Sequence, residues 1–152
     1  MSVRPEERRF SRNPLITLTT MTTSATHSAT APTAAQYTAA GVSVPTVDGV
    51  TAANVLAGLN LVVSSKSSAE VASKEQLQKI ADALKTSWAL IIAEANGSAA
   101  DATPNSAPTA SDYLNVGVTV GTTTKALDLM NSALAELSTT SVDSTAKIKD
   151  LA

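Results

Sequence analysis

Two stretches of this chain carry one frame, and that repetition constrains the fold more than any other feature. Residues 32–42 read Pro-Thr-Ala-Ala-Gln-Tyr-Thr-Ala-Ala-Gly-Val, and residues 108–118, 76 positions on, read Pro-Thr-Ala-Ser-Asp-Tyr-Leu-Asn-Val-Gly-Val. Pro, Thr, Ala, Tyr, Gly and Val recur at matched places. Self-similarity at a fixed spacing marks a repeat array, in which one supersecondary unit is used again rather than a new one invented. Arrays of this kind usually serve as scaffolds or binders.

The pattern around each copy is helical. Thr33 and Gln36 form a capping-box pair ahead of a short helix over about 34–40, and Gly41 supplies its left-handed stop. A turn-rich link follows from Ser43 to Gly49, with Pro45 and Asp48-Gly49 as breakers. Thr51 then opens a second helix over about 52–64. Its apolar positions Ala52, Val55, Leu56, Leu59, Val62 and Val63 form one stripe at helical spacing. Ser64 to Ser68 reads as a polar linker. Ser73 and Gln76 cap a third helix that carries Leu77, Ile80, Ala81, Leu84, Trp88, Ile91, Ile92 and Ala95 on one side and ends at Asn96-Gly97.

The second copy restarts after a linker over 98–107. Thr109 and Asp112 cap a short helix that carries Tyr113 and ends at Gly117. Thr122 opens the next helix, in which Leu127, Met130, Asn131 and Leu134 answer Leu56, Leu59, Asn60 and Val63 at an offset of 71. A link has therefore shortened by five residues, as loops between elements tolerate. A third helix begins near Ser144, with Ile148 taken to answer Ile80, and the sequence reaches Ala152. The expected class is thus all-α: tandem small three-helix bundle repeats with the second copy truncated. Residues 1–30 form a disordered leader, 31–106 the first repeat with its linker and 107–152 an incomplete second repeat. Each copy is expected to close its own apolar seam. The chain reads as a fragment or truncated gene product.

The leader differs from the rest. Arg4, Arg8, Arg9 and Arg12 precede Leu15-Ile16-Thr17-Leu18 and a Thr/Ser/Ala tract. A signal peptide needs an unbroken apolar h-region of about 7–15 residues, and threonines interrupt this one. Low hydrophobicity and low complexity point instead to disorder.

Chemistry-bearing residues are thin. His27 is the only histidine, and it sits in the Ser/Thr/Ala tract with no carboxylate near it in sequence. A nucleophile–base pair needs a positioned imidazole. No cysteine is present, which removes disulfides and thiolate metal sites. The carboxylates are scattered and form no Asp-x-Asp-x-Asp-Gly loop, so Asp48 and Asp101 read as turn residues rather than calcium ligands. The glycines are isolated, which excludes a phosphate-cradling loop. Asn96-Gly97-Ser98 matches a glycosylation sequon, though its reading as a helix end is the stronger one. No catalytic, cofactor-binding or metal-binding residue is expected, and no enzyme activity. Trp88 falls on the apolar stripe and reads as core. Tyr37 and Tyr113 read as pins that hold the short helices to the other two, with their hydroxyls reaching the rim of the bundle for a partner.

Charged residues are 16% of the chain and the net charge is −2, which offers no electrostatic footprint for nucleic acid. No apolar run approaches the ~20 residues of a membrane helix. The abundance of Ser and Thr over Lys and Glu suits secreted or surface proteins.

Pro32–Val42, Thr51–Asn60 and the helix ending at Ala93–Gly97 together resemble the GA-like (albumin-binding-module-like) repeats of large bacterial surface and secreted adhesins. The resemblance covers about 31–152. It implies three-helix modules strung along an extracellular stalk, as structural spacers at the bacterial cell surface or in secreted proteins. The implied role is cell adhesion by a monomeric, non-catalytic chain whose partners are the neighbouring repeats. The alternative is a binding module that grips a host or matrix protein through its helix 2–helix 3 face. No albumin-contact residue can be matched.

Overall fold

The structure, a computed structural model, describes residues 30–97 and 107–152. Residues 1–29 of the leader, with His27, and residues 98–106 of the linker, with Asp101, lie outside these residues. Six α-helices are described: α1 Ala34–Ala39, α2 Ala52–Ser64, α3 Lys74–Glu94, α4 Ala110–Asn115, α5 Thr124–Ala135 and α6 Thr145–Lys149. No strand occurs among the described residues, so the all-α expectation stands.

Local chemistry sets the helix ends. Thr33, Ser73 and Thr109 each accept the backbone N–H three residues on, while Gln36, Gln76 and Asp112 reach back to the cap N–H. Each pair satisfies two backbone donors that the first turn leaves open. Gly41 and Gly117 end α1 and α4 at φ +78 and +81, a region that an L side chain enters only at a cost of about 1–2 kcal/mol. The α5 cap is Thr123 rather than the expected Thr122, since the Thr123 hydroxyl accepts the Ala126 N–H at 3.2 Å.

Two features differ from the sequence reading. The stretch after α2 is not only a linker, because Ser68–Val71 forms a 3-10 turn whose last residue, Val71, is fully buried. Its repeat counterpart, Thr139–Ser141, leads into buried Val142. The third helices also align differently from the pairing of Ile148 with Ile80. Ser73 and Ser144 are both N-caps, and each accepts at its carbonyl from a buried residue four positions on, Leu77 and Ile148. Ile148 therefore answers Leu77, at the same offset of 71 that relates α2 to α5.

The apolar seams do not close separately. Tyr37, Val55, Leu59, Leu84, Trp88 and Ile91 of the first copy lie in one buried cluster with Tyr113, Val116, Met130, Leu134, Val142 and Ile148 of the second. The helix contacts are reciprocal. The first copy's third helix, α3, packs on the second copy's second helix, α5, and the second copy's third helix, α6, packs on α2. Helix α4 also lies along α3. The described helices therefore share one core.

Candidate functional site

The frame shared by the two stretches is a half-buried hydrogen-bond unit. The Tyr37 hydroxyl donates to Asn60 Oδ1 at 2.9 Å, and Asn60 Nδ2 donates to the Pro32 carbonyl at 2.9 Å. In the second copy the Tyr113 hydroxyl donates to Asn131 Oδ1 at 2.6 Å, and Asn131 Nδ2 donates to the Pro108 carbonyl at 3.0 Å. One tyrosine and one asparagine thus tie the start of each copy to its second helix. The hydroxyls expected to reach the bundle rim for a partner find it within the chain, in Asn60 and Asn131. Burial pushes the Tyr37 phenol well above its ordinary range. Burial does the same to Tyr113, helped by the negative charges of Glu94 and Asp112.

A second set of polar contacts joins the copies. The Trp88 indole N–H donates to the Val142 carbonyl at 3.1 Å in full burial. Asn54 Nδ2 donates to the Asp143 carbonyl at 2.8 Å; within the second copy, the Thr145 hydroxyl donates to the Val116 carbonyl at 2.9 Å. On α3 the buried Ser87 hydroxyl donates to Asp112 Oδ1 at 2.8 Å and accepts from Asn115 Nδ2 at 3.1 Å. Asp112 also holds its own helix cap, accepting the Thr109 N–H at 2.9 Å and the Thr109 hydroxyl at 2.6 Å. Burial pushes the Asp112 carboxyl up, but these hydrogen bonds outweigh it and hold the group below its usual range. Every buried side-chain nitrogen or oxygen among the described residues has a hydrogen-bond partner.

Close packing accompanies these bonds. A Cβ built on Gly58 of α2 would lie 2.9 Å from the Trp88 ring and 3.2 Å from the Thr145 hydroxyl. On Gly117 it would lie 2.8 Å from Leu61 Cδ2. These two glycines let the second copy approach the α2–α3 side of the first.

Trp88 is fully buried, as its place on the stripe predicts. Asp48 lies exposed in its turn. His27 and Asp101 are outside the described residues, as is Ser98 of the sequon. Among the described residues no group of His, Cys, Asp or Glu could hold a metal ion, and no helix is long and apolar enough to cross a membrane. Asn54, Gly58, Ser87 and Thr145 were not singled out as joining residues. Ser87 alone left a trace in the sequence, a small polar side chain between Leu84, Trp88 and Ile91 on an otherwise apolar stripe. Along α3 an open depression is lined by Asp82, Lys85, Thr86, Ala89 and Leu90, and another lies where Lys85, Ala89 and Ile92 meet Thr46–Asp48.

No protein-family model, curated protein or solved structure matches the chain.

Proposed function

We propose that this chain is a structural spacer segment, built of GA-like three-helix repeats, in a bacterial cell-surface or secreted adhesin-type protein, and that it is non-catalytic. One observation carries the reading. Each copy spends its distinctive polar groups on itself (Tyr37 with Asn60, Tyr113 with Asn131) or on the other copy (Trp88 with Val142, Ser87 with Asp112). A rod segment needs repeat-to-repeat contacts of this kind and needs no reactive pocket. The partners under this reading are neighbouring repeats of the same type.

The competing idea, a grip on a host or matrix protein through helices 2 and 3, has less room. Much of that face in the first copy meets α4, α6 and Val142 of the second. A serum pull-down with the whole chain separates the two. The spacer reading expects no specifically retained protein, and reproducible micromolar retention of one serum protein overturns it. Further copies of the Tyr…Gly-Val frame in the genomic sequence beside this reading frame are expected as well.

A further inference from the structure

Asn96, which with Gly97 closes α3, is placed unlike the other asparagines among the described residues. Asn54, Asn60, Asn115 and Asn131 all lie within helices. The N–H that follows Asn54 donates to the Thr51 carbonyl at 3.0 Å, and the one that follows Asn115 donates to the Tyr113 carbonyl at 3.1 Å. Their side-chain amides are engaged as well: Asn54 with Asp143, Asn60 with Tyr37 and Pro32, Asn115 with Ser87, and Asn131 with Tyr113 and Pro108. A residue with a side chain follows each of them, Val55, Leu61, Val116 or Ser132.

Asn96 lies past the end of α3 at Glu94. The Ala95 N–H closes the helix on the Ile91 carbonyl at 3.0 Å, and the Asn96 N–H turns back to the Glu94 carbonyl at 2.8 Å. Asn96 and Gly97 are both exposed, so water and hydroxide reach them. The Asn96 side chain stays within its own turn, where Nδ2 donates to the Ala93 carbonyl at 3.4 Å. Gly97 has φ +77, and a Cβ there would meet nothing within 4 Å among the described residues. With no side chain at 97, the Gly97 nitrogen can approach the Asn96 side-chain carbon closely. Asparagine is also among the chemically labile residue types.

We propose that Asn96-Gly97 is a site of self-modification, at which the folded chain converts asparagine into a mixture of aspartate and isoaspartate without an enzyme. The Gly97 nitrogen gives its proton to hydroxide and attacks Asn96 Cγ, forming a C–N bond. The Cγ–Nδ2 bond then breaks, and the nitrogen leaves as ammonia with a proton taken from water. A water molecule opens the five-membered imide that remains. Cleavage of the bond between the Gly97 nitrogen and Cγ gives aspartate. Cleavage of its bond to the main-chain carbonyl carbon gives isoaspartate, with the chain routed through the side chain. Overall a water is consumed and an ammonia released, and nothing is oxidised or reduced. The product sets a new carboxylate beside the end of α3, two residues from Glu94. That last turn holds no basic residue, and its open carbonyls already carry partial negative charge. The proposal does not depend on the adhesin reading.

The test incubates the whole folded chain near neutral pH in water enriched in oxygen-18, with a parallel sample unfolded in guanidinium chloride. Digestion in ordinary water leaves any later conversion unlabelled. Mass spectrometry of the tryptic peptide Thr86–Lys125, with fragmentation that separates the two isomers, assigns the label to a residue. Oxygen-18 is expected at residue 96 in both isomers, at a rate close to that of the unfolded sample, while Asn54, Asn60, Asn115 and Asn131 convert only in the unfolded one. Gly97→Ala is expected to slow conversion at least about tenfold. Asn96→Gln, which would need a six-membered ring, is expected to slow it likewise; it stands at an exposed position and keeps the fold if the alanine variant does not. A folded chain that keeps its Asn96 nitrogen while the unfolded chain loses it overturns the proposal, because the fold then shields the turn. Aspartate without isoaspartate means direct hydrolysis and overturns it too, as does undiminished conversion in either variant.

Discussion

Trp88 and Val142 lie 54 residues apart in the chain, and the indole N–H of one donates to the carbonyl of the other at 3.1 Å in full burial. The bond crosses from the first copy to the second, beside the contact of the Trp88 ring with Gly58. Trp88→Phe keeps most of the ring volume and leaves the Val142 carbonyl without this donor. A loss of about 1–3 kcal/mol is expected. Because Val142 leads into α6, amide exchange at Ile148 should quicken together with exchange in α3. A thermal midpoint equal to wild type would refute the link between the copies.

Gly117 and Gly97 separate backbone strain from packing. Both have positive φ, at +81 and +77, but a Cβ on Gly117 would strike Leu61 while one on Gly97 would meet nothing within 4 Å. Gly97→Ala should cost the conformational term alone, about 1–2 kcal/mol at most. Gly117→Ala should cost more, and Leu61→Ala should recover part of the difference. Equal midpoints for the two glycine variants would show that α2 and the α4 stop are not in tight contact.

Leu84 is fully buried on α3 among side chains from both copies. Leu84→Ala is expected to cost about 2–4 kcal/mol. Circular dichroism melts of the whole chain measure it. Since the core is shared, the loss should appear as one shifted transition, and a shift confined to one of two resolved transitions would mean that the copies melt separately.

The buried tyrosines predict an alkaline limit. Folding raises both phenols, so the native state holds their protons more tightly than the unfolded chain, whose tyrosines titrate near pH 10. Their contribution is complete below about pH 10 and falls away as pH climbs from there toward the higher native values. Denaturant midpoints should therefore drop steeply above about pH 10. Tyr37→Phe and Tyr113→Phe should each flatten that drop, while costing about 1 kcal/mol at neutral pH from the lost bond to Asn60 or Asn131. A drop of unchanged steepness in the double variant would assign it to other groups.

Asp112 sets the opposite limit. Its carboxyl is held below the usual range in the folded chain, so its contribution is present above about pH 4 and disappears as pH falls through the lower native value. Asp112→Asn should make stability between about pH 2 and 4 less dependent on pH. An unchanged acid profile would mean that Thr109 and Ser87 do not favour the charged form.

Much of the local structure could be read in advance because its causes span three or four residues. Thr33 with Gln36, Ser73 with Gln76 and Thr109 with Asp112 are pairs whose geometry a short helix turn imposes wherever it occurs. Gly41 and Gly117 announce a left-handed stop by themselves. The long α3 stripe marked Leu84, Trp88 and Ile91 as buried without reference to any neighbour. The 3-10 turns at Ser68–Val71 and Thr139–Ser141 escaped, since one buried valine in a polar stretch carries no period.

A stripe at helical spacing says that a face is covered; it does not say by which helix. Tertiary structure alone decided that Trp88 points at Gly58 and Val142, and that Ser87 meets Asp112 and Asn115 of the other copy. Apolar burial has no direction, so a Leu/Ile/Trp face satisfies its own repeat and its neighbour equally well on paper. The choice fell to shape, through two glycines that admit close approach, and to single hydrogen bonds between residues 25 to 89 positions apart. Periodicity and caps shaped each helix; the pairing of helices across the repeat arose only where those surfaces met.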